Sequence, residues 1–324
     1  MGVNDGAIAI ATTVATRAVK PRTALIVGAI TKFITPIAVL YLGNAAVASN
    51  ISENLIFSDA FADVSTKQAF AFMFSGLLGA MIWAAVAYRM KLPNSISHTL
   101  LGGIIGAAIA AFGFSAVKWT DYVLVNIVLM VFLAPTIGLV LGFIIMRLLH
   151  KMAKRAPRKL NKLMIAIERF NLVVLSAGFA SNNSQKSLGI FMMMFALGLS
   201  SYSVPPLWVT ICFALALTFG LLFGGTSVVN TVGRKIFKLQ DEHAVAAQFT
   251  TSLVMVVATE CGIAVSTGQV LSSSIMGVGA SERFRRVNWN TSFRIVRSWL
   301  ITLPVSGLVS ALLYLIIGKL IMGI

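Results

Sequence analysis

Pro93-Asn-Ser-Ile-Ser-His98-Thr-Leu-Leu-Gly-Gly-Ile-Ile-Gly106 returns 171 residues further on as Ala264-Val-Ser-Thr-Gly-Gln269-Val-Leu-Ser-Ser-Ser-Ile-Met-Gly277. Each copy runs hydroxyl and amide side chains directly into an apolar, glycine-bearing helix. The sequence around both copies is almost wholly apolar. A duplicated polar segment leading a helix inside a bilayer implies a binding site at the midplane, built from broken or re-entrant helices.

The surrounding composition sets the class. Of 324 residues, 58% are hydrophobic and 11% charged, where a soluble domain carries about 25% charged residues. Mean hydropathy is +0.90. Apolar runs at 22–43, 69–88, 122–146, 207–229, 243–259 and 295–318 approach or exceed the roughly 20 helical residues that cross a bilayer. The fold expected is an all-α polytopic membrane protein. Continuous apolar runs exclude a barrel, whose strands alternate. A net charge of +16 reads as basic cytoplasmic loops and not as a nucleic-acid surface. Cys212 and Cys261 fall in apolar segments and form no disulfide framework. No cysteine–histidine cluster has metal-ligand spacing, and no Ser–His–acid set points to an enzyme.

Further landmarks recur in order. Asn4-Asp5 matches Asn182-Asn183. Trp119 precedes Pro135-Thr-Ile-Gly-Leu-Val140 by 16 residues, and Trp289 precedes Pro304-Val-Ser-Gly-Leu-Val309 by 15. Five crossings are read in each half: 5–19, 22–43, 69–88, 94–112 and 122–146, then 171–199, 207–229, 243–262, 264–280 and 293–318. With the N-terminus outside, the basic loops at Arg17/Lys20/Arg22, Arg89/Lys91, 147–162, Arg234/Lys235/Lys238 and Arg283/Arg285/Arg286 all fall inside. An odd number of crossings then turns the second half upside down. The expected organisation is a first inverted repeat at 1–146, a basic cytoplasmic linker at 147–164 and a second repeat at 165–324. Both termini are placed outside the cytoplasm of a multi-pass cell-membrane protein.

Polar side chains in hydrocarbon are costly and mark sites or pathways. Four groups qualify: Asn4-Asp5; Ser95, Ser97, His98 and Thr99; Ser181-Asn-Asn-Ser-Gln185-Lys186; and Glu260 with Ser266, Thr267 and Gln269. All four read as the starts of half-helices, where free N–H groups and the dipole favour an anion. Carboxylate and amide oxygens nearby suit a hard cation. Lys32, inside 22–43, has a stem long enough to snorkel, or it attracts an anion. His98 is a candidate for gating or proton transfer, or it holds the break in the helix.

At these residues the chain resembles the inorganic phosphate transporter family. Gly2-Val-Asn-Asp-Gly-Ala-Ile-Ala-Ile-Ala-Thr-Thr, with the later Thr-Arg and Pro-Arg, is similar to the family's first signature. Ser181-Asn-Asn-Ser-Gln-Lys-Ser-Leu-Gly189 is similar to the second, and the two loops at 93–98 and 264–269 resemble its twin Pro-Val-Ser-Thr-Thr-His loops. The resemblance spans essentially the whole chain. It implies symport of inorganic phosphate with Na⁺ or H⁺, often by a homodimer in the lipid bilayer, with no cofactor beyond the coupling ion. Carried over residue by residue, it implies anion binding by Ser95, Ser97, Asn182, Gln185, Ser266 and Thr267. Asn4, Asp5 and Asn183 would hold the coupling cation.

The chain departs from the family at Asn183, where the second signature has Asp, and at Ile8, where the first has Asn. The second loop lacks the Pro, one Thr and the His. Glu260, beside that loop, is expected to replace the missing carboxylate. Sulfate is the alternative anion, because losing a carboxylate acceptor removes a preference for protonated phosphate. A channel or sensor that has lost coupling is the alternative outside the transporter class. An apolar half-helix upstream of Met1 is expected from comparison with 172–180.

Overall fold

The computed structural model describes residues 1–42, 45–61, 64–90, 94–153, 160–199, 205–223 and 231–322. The fold is helical, and no strand occurs among these residues. In order they form α1 (Gly2–Ala15), α2 (Pro21–Leu42), α3 (Ala46–Asn54), α4 (Thr66–Arg89), α5 (Ile96–Phe112), α6 (Met130–Ala153), α7 (Leu160–Ala196), α8 (Leu207–Phe223), α9 (Asp241–Glu260), α10 (Thr267–Glu282) and α11 (Trp289–Met322). A π-helical stretch, Trp119–Leu129, leads into α6. Five helices are long and apolar enough to cross a membrane, those at 21–41, 66–89, 122–152, 161–196 and 289–318.

Ten of these helices overlap the ten expected crossings; α3 was not expected and lies within the segment 44–68. The structure corrects one reading. Ser181–Lys186 does not break its helix, because α7 runs without interruption from Leu160 to Ala196. Asn182, Asn183, Gln185 and Lys186 find partners on neighbouring elements while the backbone keeps its own bonds, which removes the need for a break. Helices α6 and α7 also extend into the expected 147–164 linker from either side; residues 154–159 lie outside the described residues.

Two helices do start at the expected loops. Ser95 caps α5, its Oγ accepting from the His98 N–H at 3.3 Å. The chain leaves α9 through Gly262 at φ +70°, a left-handed turn that favours glycine, and α10 begins after Ser266.

The packing recurs in both halves. Helix α5 lies on α11 and α10 lies on α6. At the first contact a Cβ on Gly106 would strike the carbonyl oxygen of Gly307, and at the second a Cβ on Gly277 would strike that of Leu139. Glycine is required at both because backbone meets backbone. The turns after α5 and α10 also share one clasp. Trp119 stacks on Phe114 at 4.6 Å and Trp289 on Phe284 at 4.5 Å between ring centroids. In each, the indole N–H donates to the phenylalanine carbonyl at 2.9 Å. The Lys118 N–H then reaches Leu55 O at 3.2 Å, and the Asn288 N–H reaches Ile236 O at 2.9 Å.

Gly106→Val and Gly277→Val are each expected to cost ~3 kcal/mol or more and to remove the monodisperse peak in detergent chromatography. Gly178→Ala, whose nearest neighbour would be Met255 Cβ at 3.7 Å, is expected to leave the peak and the melting temperature unchanged.

Candidate functional site

The starts of α5 and α10 meet head to head. Ser95 Oγ donates to Ser266 Oγ at 2.9 Å. Three residues into each helix, Gln269 Nε2 lies 3.5 Å from His98 Nδ1. Each position therefore meets its own counterpart, offset by 171 residues. The first-turn N–H groups of two helices converge here, and both helix dipoles present their positive ends.

Helix α7 supplies a cation to the same junction. Lys186 is fully buried. Its ammonium donates to Ser97 Oγ at 2.7 Å, to Val265 O at 2.6 Å and to Asn183 Oδ1 at 3.2 Å. A lysine has only donors, so the oxygen of Asn183 must face it. The Asn183 Nδ2 then faces Asp5 and donates to Oδ2 at 2.9 Å. Asp5, also buried, accepts at Oδ1 from Asn4 Nδ2 at 3.4 Å, and Asn4 donates to Asn94 O at 3.0 Å. Residues from α1, α5, α7 and the loop before α10 thus form one connected network.

Asn94 ties this network to α11. Its amide pairs with Thr99 Oγ1, and its Oδ1 accepts from Thr302 at 2.7 Å. Ser306 Oγ donates to Thr99 O at 2.6 Å. On the other side, Asn182 Nδ2 donates to Thr259 Oγ1 at 3.1 Å and to Ile263 O at 3.3 Å.

Three buried atoms at the junction have no hydrogen-bond partner among the described residues: Thr267 Oγ1, Asn182 Oδ1 and Gln269 Oε1. Unpaired buried polar atoms are rare in native proteins and call for an explanation. Here they offer one donor and two acceptors beside a concentration of positive potential.

The expected residues divide as follows. Asn4, Asp5, Ser95, Ser97, His98, Asn182, Asn183, Ser266 and Thr267 are brought together. Gln185 lies at the edge, its Oε1 accepting from the Val47 N–H of α3 at 3.0 Å and its Nε2 donating to Ser181 at 3.4 Å. Glu260 is not drawn into this network: it is the last residue of α9 and is exposed. Sequence reading gave no role to Lys186, Asn94 or Thr302. An ammonium in mid-helix is among the costliest groups to bury, and that cost is the signal that singles out Lys186.

Polar groups continue along α1 away from the junction. Gln248 Nε2 donates to Thr12 and Thr13 Oγ1, each at 2.8 Å. Thr16 Oγ1 donates to the buried Glu168 Oε1 at 2.5 Å. Beyond lies a cleft of about 350 Å³ lined by Thr16, Arg17, Asn161, Gln240, Asp241 and Glu242, among others.

Comparison with known proteins agrees with this architecture. The model of the phosphate transporter family matches residues 1–176 and 170–310. The chain is 35% identical over 323 residues to a probable low-affinity inorganic phosphate transporter of Bacillus subtilis, covering 98% of this chain and 92% of the relative. It is 33% identical to a protein of the same description from Rhizobium meliloti, covering 97% and 91%. A solved structure described as the sodium-dependent phosphate transporter superposes with a TM-score of 0.83 at 20% identity, over 98% of this chain and 95% of that one. That last likeness establishes the fold. The chain belongs to the phosphate transporter family, whose members are not enzymes, and it is a multi-pass membrane protein.

Ser95→Cys with Ser266→Cys, made with Cys212→Ala and Cys261→Ala, is expected to cross-link under mild oxidation, because bridged Cβ atoms lie about 3.5–4.5 Å apart. Peptide mapping should join the 95 and 266 segments. An uncross-linked pair would contradict the head-to-head junction.

Proposed function

We propose that this member of the phosphate transporter family moves inorganic phosphate across the cell membrane by secondary active transport, together with a cation, Na⁺ or H⁺. The observation that carries this reading is the convergence of two helix N-termini on the Lys186 ammonium. Such a junction is a ready-made anion site, since backbone N–H groups and dipoles both favour negative charge. Ser95, Ser97, Ser266 and Thr267 are the hydroxyl donors at the anion, and Lys186 is the charge that draws it. Asp5 with Asn4 is the acidic counterweight on α1.

Phosphate is favoured over sulfate by the unpaired acceptors. Hydrogen phosphate keeps an O–H that must find an acceptor, whereas sulfate has none. Asn182 Oδ1 and Gln269 Oε1 are buried without partners among the described residues and suit that hydroxyl. The relatives named as phosphate transporters point to the same anion.

The halves are read as inverted repeats about a two-fold axis passing between Ser95 and Ser266. Transport is then one repeat-derived bundle rocking against the other around this junction. The polar groups along α1, from Asp5 past Thr12 and Thr13 to the cleft at Thr16, mark the inward route. Charge on the loops supports a cytoplasmic cleft with both termini outside. The apolar ridges of Ile26, Ile30 and Ile34 on α2 and of Leu308, Leu312 and Leu315 on α11 are exposed and face lipid or, as the family resemblance implies, a second copy of the chain.

Thr267→Val removes a hydroxyl with no protein partner. It is expected to leave stability within about 0.5 kcal/mol while weakening phosphate binding by roughly 5-fold, the value of one hydrogen bond of ~1 kcal/mol; calorimetry with phosphate and then sulfate checks both the effect and the anion. Glu260→Gln is expected to leave phosphate uptake into proteoliposomes unchanged, and a loss of uptake would return that carboxylate to the site.

A further inference from the structure

Lys32 sits in the middle of α2 and is fully buried, with no hydrogen-bond partner for its Nζ among the described residues. It does not snorkel. Its nearest aromatic surface is Phe179, with Nζ 6.0 Å from the ring centroid. Phe179 lies on α7 one helical turn before Asn183, and side chains four apart share a face. Asn183 is the residue that holds Asp5. Gly28, one turn before Lys32, packs against Ile10 of α1 and Ser176 of α7. Lys32 therefore occupies the junction of α1, α2 and α7, about one turn from the Asp5–Asn183 contact.

The charges that face it are few. Helix α1 contributes Asp5, whose charge acts on Lys32. Helix α7 contributes Lys186 on the far side of Asn183 and Glu168 towards the opposite end of the helix. Helix α8, packed along α2, carries Cys212, which is exposed, and no acid or base. Asp5 is thus the carboxylate closest to two buried amines, Lys32 and Lys186.

That arrangement is poor for a sodium ion. A hard cation needs several oxygen ligands. Both oxygens of Asp5 accept from amides, and the single oxygen of Asn183 accepts from Lys186. A buried lysine amine, in contrast, exchanges its proton readily as its surroundings change.

We propose that Lys32 carries the coupling proton. This inference rests on the transport reading above. On the uptake side a proton from water forms an N–H bond with the Lys32 amine, and the resulting ammonium offsets the charge of the arriving anion and of Asp5. On the release side the same N–H bond breaks, the proton returns to water, and the amine is left neutral. No electrons move, and sodium takes no part.

The test uses full-length protein in proteoliposomes with labelled phosphate and constant external pH. Three quantities are measured: phosphate counterflow without any gradient, accumulation under an imposed inward proton gradient, and accumulation under an imposed inward sodium gradient. The wild type is expected to accumulate phosphate up to ~10-fold for one pH unit, the limit for one-to-one coupling, and to ignore sodium. Lys32→Gln is expected to retain counterflow and lose proton-driven accumulation. Lys32→Arg, whose guanidinium does not release its proton, is expected to do the same, and it decides the matter if the glutamine variant fails to fold. Sodium-driven accumulation by the wild type overturns the proposal without any variant. So does counterflow in the wild type without proton-driven accumulation, or proton-driven accumulation by either variant. Absence of counterflow in the wild type would instead overturn the transport reading itself.

Discussion

A lysine ammonium buried in a membrane protein must have its charge met. In this fold three oxygens meet it: Ser97 of α5, Asn183 of α7 and the Val265 carbonyl just before α10. Among the described residues no carboxylate is a hydrogen-bond partner of it. Lys186 therefore stitches together three elements from distant parts of the chain and still leaves net positive potential at their meeting point. The dipoles of α5 and α10 add to it. Removing the oxygens would leave a bare charge in hydrocarbon, and removing the charge would leave oxygens without donors. The junction and the lysine depend on each other.

Close backbone packing makes this junction possible. Lipid offers no hydrophobic drive between helices, so small residues and polar contacts hold the bundle. Gly106 against Gly307 and Gly277 against Leu139 bring α5 onto α11 and α10 onto α6. The hydroxyls of Thr302 and Ser306 then tie α11 back to the loop and first turn of α5. The two helix starts are held from behind, while their N-terminal ends face one another. Positioned donors that need no reorganisation are what a recognition site for a small anion requires.

Much of this was legible in the sequence because its signals are local or periodic. Six apolar runs, with the repeated polar motifs and the basic loops between them, gave ten of the helices. The offset repetition of Ser95 and Ser266 gave the two helix starts that meet, and the cost of polar groups in lipid gave Asn4, Asp5 and Asn182. The rest depends on tertiary partners. The polar run at Ser181–Lys186 looks like a helix break when read alone, yet Asn182, Asn183 and Lys186 bond to groups on α1, α5, α9 and the loop before α10, and α7 stays whole. Glu260 lies two residues from a left-handed glycine at the end of its helix and is exposed, a placement invisible in a residue string. Helix α3 is short and of mixed polarity, and it gives no membrane-length signal. Lys186 was in plain view, but only the three-dimensional placement shows which oxygens it gathers.

The most direct test of the account is the position of a phosphate analogue with an anomalous signal. Crystals grown with arsenate and measured at the arsenic edge should show one strong peak between the starts of α5 and α10, within hydrogen-bonding distance of Lys186, Thr267 and the serines at 95 and 266. An arsenic peak bound elsewhere in the bundle, with this junction unchanged and bare, would contradict it.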